Sequence, residues 1–311
     1  PVKNRRFYKA GGFYLIYLSI SLIKFNCQKY YGVGFMSYKI IADSCCDLTP
    51  DLRQKLDIVS VPLSLNLGEE SFTDDEKLNL HEFMRKMRSY SGKIGSACPS
   101  PGMYKNAFVE AVTSFAITIS GNLSGSFASA MLGKSLAEEK GAEVHVFDSK
   151  SASAGEVLIA LKLRNMINDG INKSKIISSI NSFIKEMKTY FVLDSIDNLV
   201  KNGRLGKITG KLISVLNIKP IMGSDGDGNI ALFSHARGQN QVLEKLSATI
   251  DKSGKSTDGE SMVITHCNNP GLAEKLMNLI KERHNFKEIL VVPTRGVSSL
   301  YANDKGIIMA F

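Results

Sequence analysis

From Met36 onward, short apolar runs alternate with stretches in which apolar residues recur every three or four positions, a pattern that predicts strands handing over to helices. Residues 38–42 (YKIIA) read as a buried strand closed by Asp43-Ser44, and residues 58–67 as a second strand. Leu80, Phe83, Met84 and Met87 fall at helical spacing and predict a helix over 79–89. After a turn at 98–102 come another helix, a buried strand over 115–119, a helix over 124–140 and a strand over 144–147 that again stops at an Asp-Ser pair, Asp148-Ser149. Helices over 152–169 and 173–187 follow, divided at Gly170-Ile171-Asn172. Such alternation is the mark of a parallel sheet covered by helices.

Beyond residue 188 the order changes. A strand over 190–193 and a short helix over 195–201 stopped by Gly203 precede the segment 211–217, which leads into Pro220. The glycine-rich run 223–229 (GSDGDGN) predicts a hairpin turn, followed by a strand over 230–234 and a helix over 239–251. Segments 262–265, 271–282, 288–292, 298–302 and 306–310 complete the chain as strand, helix, strand, short helix and strand. The expected organisation is a basic, aromatic extension over 1–35, an α/β domain with a parallel sheet over 36–188, and an α+β domain over 189–311.

With 43% hydrophobic and 22% charged residues, the chain can build a large core, which excludes a disordered or disulfide-stapled protein. The net charge of +9 suggests nucleic acid at first sight, but Lys3, Arg5, Arg6, Lys9, Lys24 and Lys29 supply six of those charges with no acid among residues 1–35. The remainder carries only +3, too little for a nucleic-acid face. The uncharged run 11–23 is too short to span a bilayer, which takes about 20 helical residues, so transient contact with an anionic membrane surface is the most that the extension suggests. Cys27, Cys45, Cys46, Cys98 and Cys267 form neither an even framework nor a CxxC pair, which points to the reducing cytoplasm and to no zinc site.

In an open α/β sheet, ligands sit beyond the carboxyl ends of the strands. Hydroxyls and small residues occupy four such handovers: Asp43-Ser44, residues 96–101, residues 120–126 and Asp148-Ser149. A helix start there offers free N–H groups to an anion, although ordinary capping accounts for Asp148 and Ser149. Ser120-Gly121-Asn122 is the stronger candidate, since a hydroxyl, an adaptable glycine and an amide directly follow a buried strand. His266 follows an apolar run at a strand end, from which its ring could reach a cleft; Arg204, Arg237 and Arg295 are further polar candidates. Phosphate loops, dinucleotide fingerprints, zinc-protease motifs and the hydrolase elbow are all missing.

Several ordered motifs carry a resemblance. Ile41-Ala42-Asp43-Ser44 with Asp47-Leu48, Val61-Pro62-Leu63 before Phe72-Thr73-Asp74, and the run 96–102 (SACPSPG) come first. Residues 118–126 (TISGNLSGS), Asn202-Gly203-Arg204-Leu205 and Ile218-Lys219-Pro220-Ile221 follow. Together they resemble the DegV family of bacterial fatty-acid-binding proteins. The resemblance implies a two-domain fold with a long-chain fatty acid held between the domains, its carboxylate received by hydroxyls at Ser96 and Ser120 with His266 nearby. The family usually has threonine in place of Ser96 and often a second serine in place of Gly121. It also implies no cofactor and no catalytic residue in this chain, which would present the acid to a partner kinase for acyl phosphate formation. Two other functions compete with that carrier: a hydrolase or transferase using Ser120 and His266, with Asp43 as an orienting acid, and a lipid-sensing regulator.

Overall fold

A computed structural model of the chain describes residues 38–206 and 218–311. The first elements in chain order are β1 (Tyr38–Asp43), α1 (Pro50–Leu56), β2 (Ile58–Val61), β3 (Ser64–Leu67), β4 (Glu70–Thr73), α2 (Leu80–Ser89) and β5 (Ile94–Ala97). They are followed by α3 (Pro101–Val109), β6 (Thr113–Thr118), α4 (Ser126–Glu138), β7 (Glu143–Asp148), α5 (Ala154–Asn168) and α6 (Lys173–Glu186). The remainder comprises β8 (Thr189–Val192), α7 (Asp197–Lys201), β9 (Ile218–Ser224), β10 (Ile230–Arg237), α8 (Gly238–Ser253), β11 (Ser261–His266), α9 (Pro270–Arg283), β12 (Glu288–Pro293), α10 (Gly296–Ala302) and β13 (Ile307–Ala310).

These elements form a two-domain α/β fold. The first sheet is parallel throughout, in the order β2-β1-β6-β7. Strand order reverses between β1 and β6, so their carboxyl ends border a switch point, the place where open α/β sheets bind ligands. The second sheet is mixed, in the order β10-β9-β8-β13-β11-β12, with only β11 and β12 parallel. Antiparallel β4-β3-β5 makes a small third sheet.

The expected strand over 58–67 is two strands in different sheets. Pro62 lies at the break, and a residue without an N–H cannot continue a ladder. The short strands β4 and β5 were not expected, and His266, expected just past a strand, is the last residue of β11. The expected segment 211–217 and the extension 1–35 lie outside the described residues.

Helix α5 joins the layers. Nine consecutive or near-consecutive residues from Ala154 to Leu163 are buried, as expected of a helix covered on all sides. It packs on β1 and β6 of the parallel sheet and on β11 and β13 of the mixed sheet. One apolar core therefore runs through both, from Ile117, Phe147 and Leu158 to Met222, Val263 and Leu300. Among the described residues, no helix is long and apolar enough to cross a membrane.

Candidate functional site

Between the parallel and mixed sheets lies a cavity of about 900 Å³, part of it open to solvent. Its walls are mainly aliphatic and aromatic: Leu63, Ile119 and Leu123 come from the first half, Phe191, Leu199 and Ile230 from the second. Polar side chains, among them Ser96, Lys150, Arg204, Ser298 and Tyr301, also line it but contribute little of its exposed surface.

Ser96 sits on β5 and its hydroxyl lies 3.0 Å from the Tyr301 hydroxyl on α10. The Arg204 guanidinium stands 5.9 Å from the centre of the Tyr301 ring. It reaches that position because Nε donates to the Leu123 carbonyl at 3.2 Å and Nη1 to the Asn202 carbonyl at 2.5 Å. The α3 start beside Ser96 is fixed by Ser100, whose hydroxyl accepts from Met103 N at 3.3 Å, with Pro101 at the first helical position.

The loop after β6, whose Leu123 carbonyl accepts from Arg204, also meets the β9–β10 hairpin turn. Ser120 is fully buried; its hydroxyl donates to the Gly228 carbonyl at 2.8 Å and accepts from Asn122 N at 3.2 Å. The Asn122 amide donates to the Asp227 carbonyl at 2.9 Å, and Ser224 donates to the Lys150 carbonyl at 2.9 Å. Gly228 itself lines the cavity, with Ser120 directly behind it. The Gly121 N–H donates to Asp148 at 3.1 Å.

The remaining candidates lie elsewhere. His266 is buried but does not line the cavity; its Nδ1 accepts from Asn269 N at 3.3 Å, and burial pulls its pKa down, favouring the neutral ring. Arg237 is exposed at the end of β10, and its N–H donates to Gln241 at 2.6 Å. Ser44 and Arg295 border a separate polar cleft with Arg53 and Asp74. The structure thus brings Ser96 and Arg204 together at the cavity, sets the Ser120 loop behind one wall, and leaves His266, Arg237 and Arg295 apart.

Beneath the cavity are acids whose roles sequence reasoning had not resolved. Asp43 accepts from Ile119 N at 2.9 Å and from Cys45 N at 3.1 Å, tying the end of β1 to the loop after β6. Burial raises its pKa to about 6 despite those bonds. Asp47 is raised to about 7, also by burial, while accepting from Ser153 and from Arg295 N. Asp74 binds Gly296 N at 3.0 Å and Val297 N at 2.8 Å, so two acids of the first half hold the start of α10. Glu156 is fully buried beside Asp43 and Cys45, yet neither of its oxygens has a partner in hydrogen-bonding geometry; burial pushes its pKa well up, which favours the protonated form. Among the described residues, no three His, Cys, Asp or Glu side chains are arranged so that they could hold a metal ion.

A largely apolar cavity between two sheet layers, with a few polar groups among its walls, defines a small-molecule binding protein. Residues 37–309 match the profile of the DegV family, described as uncharacterised, and the chain belongs to that family. A DegV domain-containing protein of Streptococcus gordonii is 36% identical over 280 residues, 89% of this chain and 99% of that protein. The fold is similar to a DegV family protein of Ruminococcus gnavus refined with vaccenic acid (TM-score 0.85, 38% identity, 89% of this chain and 100% of that one). It is also similar to the fatty acid kinase (Fak) B3 protein of Streptococcus pneumoniae loaded with linoleic acid (TM-score 0.81, 34% identity, 89% and 99%).

Proposed function

We propose that this chain binds a long-chain fatty acid in the cavity between its sheets and presents the carboxylate to a separate kinase subunit, without turnover of its own. The cavity carries the reading: its walls suit an acyl chain, and chains 38% and 34% identical over nearly their whole length hold vaccenic and linoleic acid. Each buried CH₂ contributes about 0.8 kcal/mol, so the tail supplies affinity, while the head requires polar partners to offset its desolvation. Ser96 and the Ser120–Asn122 loop are the proposed head-group side, with Arg204 beside it. The two domains divide near residue 188, and the protein works in the cytoplasm.

The alternative of a Ser120–His266 hydrolase has little support in the geometry. The Ser120 proton goes to a carbonyl and His266 Nδ1 accepts a backbone N–H, so neither residue activates the other. The test is acyl phosphate formation from ATP, magnesium and oleic acid. Product should appear only when a fatty acid kinase catalytic subunit is added; steady formation by the chain alone would contradict the carrier assignment.

A further inference from the structure

The hydroxyls around the cavity are not equivalent once their protons are assigned. Ser120 donates to the Gly228 carbonyl and Ser224 to the Lys150 carbonyl. Ser153 donates to Asp47, and the Ser151–Thr189 pair has the Ala152 carbonyl as a further acceptor. Ser124 and Ser298 also line the cavity, the first paired with the Ser126 hydroxyl and the second with the Cys45 thiol, whereas the Ser96 and Tyr301 hydroxyls, among the described residues, are bonded only to each other and stand beside a cation. Two hydroxyls carry two protons, and their mutual bond uses one. Whichever of the two donates to the other, one proton remains for a ligand.

Among the described residues, the charge beside this pair has no acidic partner. Arg204 is bonded to the carbonyls of Leu123 and Asn202, neither of which neutralises the guanidinium, and it lies against the Tyr301 ring. Lys150, the other cation at the cavity, is paired with Asp148 at 2.9 Å. A spare hydroxyl proton next to an unneutralised cation receives an anion; it gives a neutral alcohol or ester much less.

We infer that Tyr301, bonded to Ser96 and packed against Arg204, is the specificity-determining residue that makes the cavity select an acid over a neutral head group of equal chain length. The inference rests on the carrier reading and adds to it a residue on α10 and a chemical selectivity. Ser96 and Tyr301 act as one unit: the bond between them fixes the direction of the free proton, so removing either hydroxyl leaves the other free to turn away from the ligand.

Direct titration of the full chain with oleic acid and with oleyl alcohol tests this. Tyr301→Phe keeps the ring against Arg204 and removes only the hydroxyl. It should weaken oleic acid binding about tenfold or more, the usual effect of losing a hydrogen bond to a charged group, and leave oleyl alcohol within about twofold. Ser96→Ala should weaken acid binding in the same direction, and Ser96→Thr should restore it. Acid binding by Tyr301→Phe equal to wild type, or equal losses for acid and alcohol, would overturn the assignment. Failure of the wild-type chain to bind either lipid would instead overturn the carrier reading on which it rests.

Discussion

The Ser120 hydroxyl donates to the carbonyl of Gly228 at 2.8 Å, so a loop of the parallel sheet and the hairpin turn of the mixed sheet are clasped across one wall of the cavity. Gly228 has φ of +92°, and an added Cβ would lie 2.2 Å from Ser120 Oγ and 3.0 Å from the Lys150 Cα. Gly228→Ala should therefore destabilise the protein by about 1–3 kcal/mol and weaken fatty acid binding, since both strain and the lost clasp act together. Urea unfolding checks it. Ser120→Ala alone should cost only about 1 kcal/mol.

The buried acids give stability an unusual pH dependence. Asp43 at about 6 and Asp47 at about 7 hold protons that the unfolded chain releases near the ordinary value of 3.8. Between those limits the folded state binds more protons than the unfolded one, so stability is fully present below about 4 and declines as pH rises through 6 to 7. The exposed carboxylates with lowered pKa, such as Glu76 and Glu143, work in the opposite sense but are well screened. Urea midpoints should fall from pH 5 to pH 7.5 in the wild type and fall less in Asp47→Asn. A midpoint that rises over this interval in the wild type would count against protonated acids at these sites.

Glu156→Gln replaces a protonated carboxyl with a neutral group of the same shape, so thermal unfolding at pH 7.5 should be unchanged or shifted upward. Glu156→Ala should cost about 2–4 kcal/mol, because α5 is packed between two sheets and cannot collapse into the space. Loss of folding in the Gln variant would mean that the carboxylate is needed in its charged form.

Asp74 accepts the N–H groups of Gly296 and Val297 and the hydroxyl of Ser44. Asp74→Ala should leave these buried donors unpartnered, lower stability by about 2–4 kcal/mol, and loosen the helix that carries Tyr301. Hydrogen exchange should rise in residues 296–302 more than in β1 or β6.

Much of this organisation is legible in the residues because it follows periodicity. The run of apolar residues in α5, the Gly-rich turn before β10 and the strand-helix handovers at Asp43 and Ser120 all mark themselves by composition and spacing. The region 58–97 does not: Pro62 interrupts what looks like one strand, and β4 (ESFT) and β5 (IGSA) are too short and polar to announce a sheet. Ser96 and Arg204 could be picked out because they stand in motifs. Tyr301 could not, since its partner is 205 positions away and nothing local distinguishes an aromatic residue in a short helix. The Ser120 clasp spans 108 positions and is equally invisible until the sheets are assembled.

The central claim is that this chain holds a long-chain fatty acid, and native mass spectrometry of the full chain purified from cells supplied with lipid tests it most directly. The account predicts one adduct with the mass of a long-chain fatty acid, displaced by added oleic acid. A chain that remains free of such an adduct, and takes up no oleic acid when titrated, would contradict it.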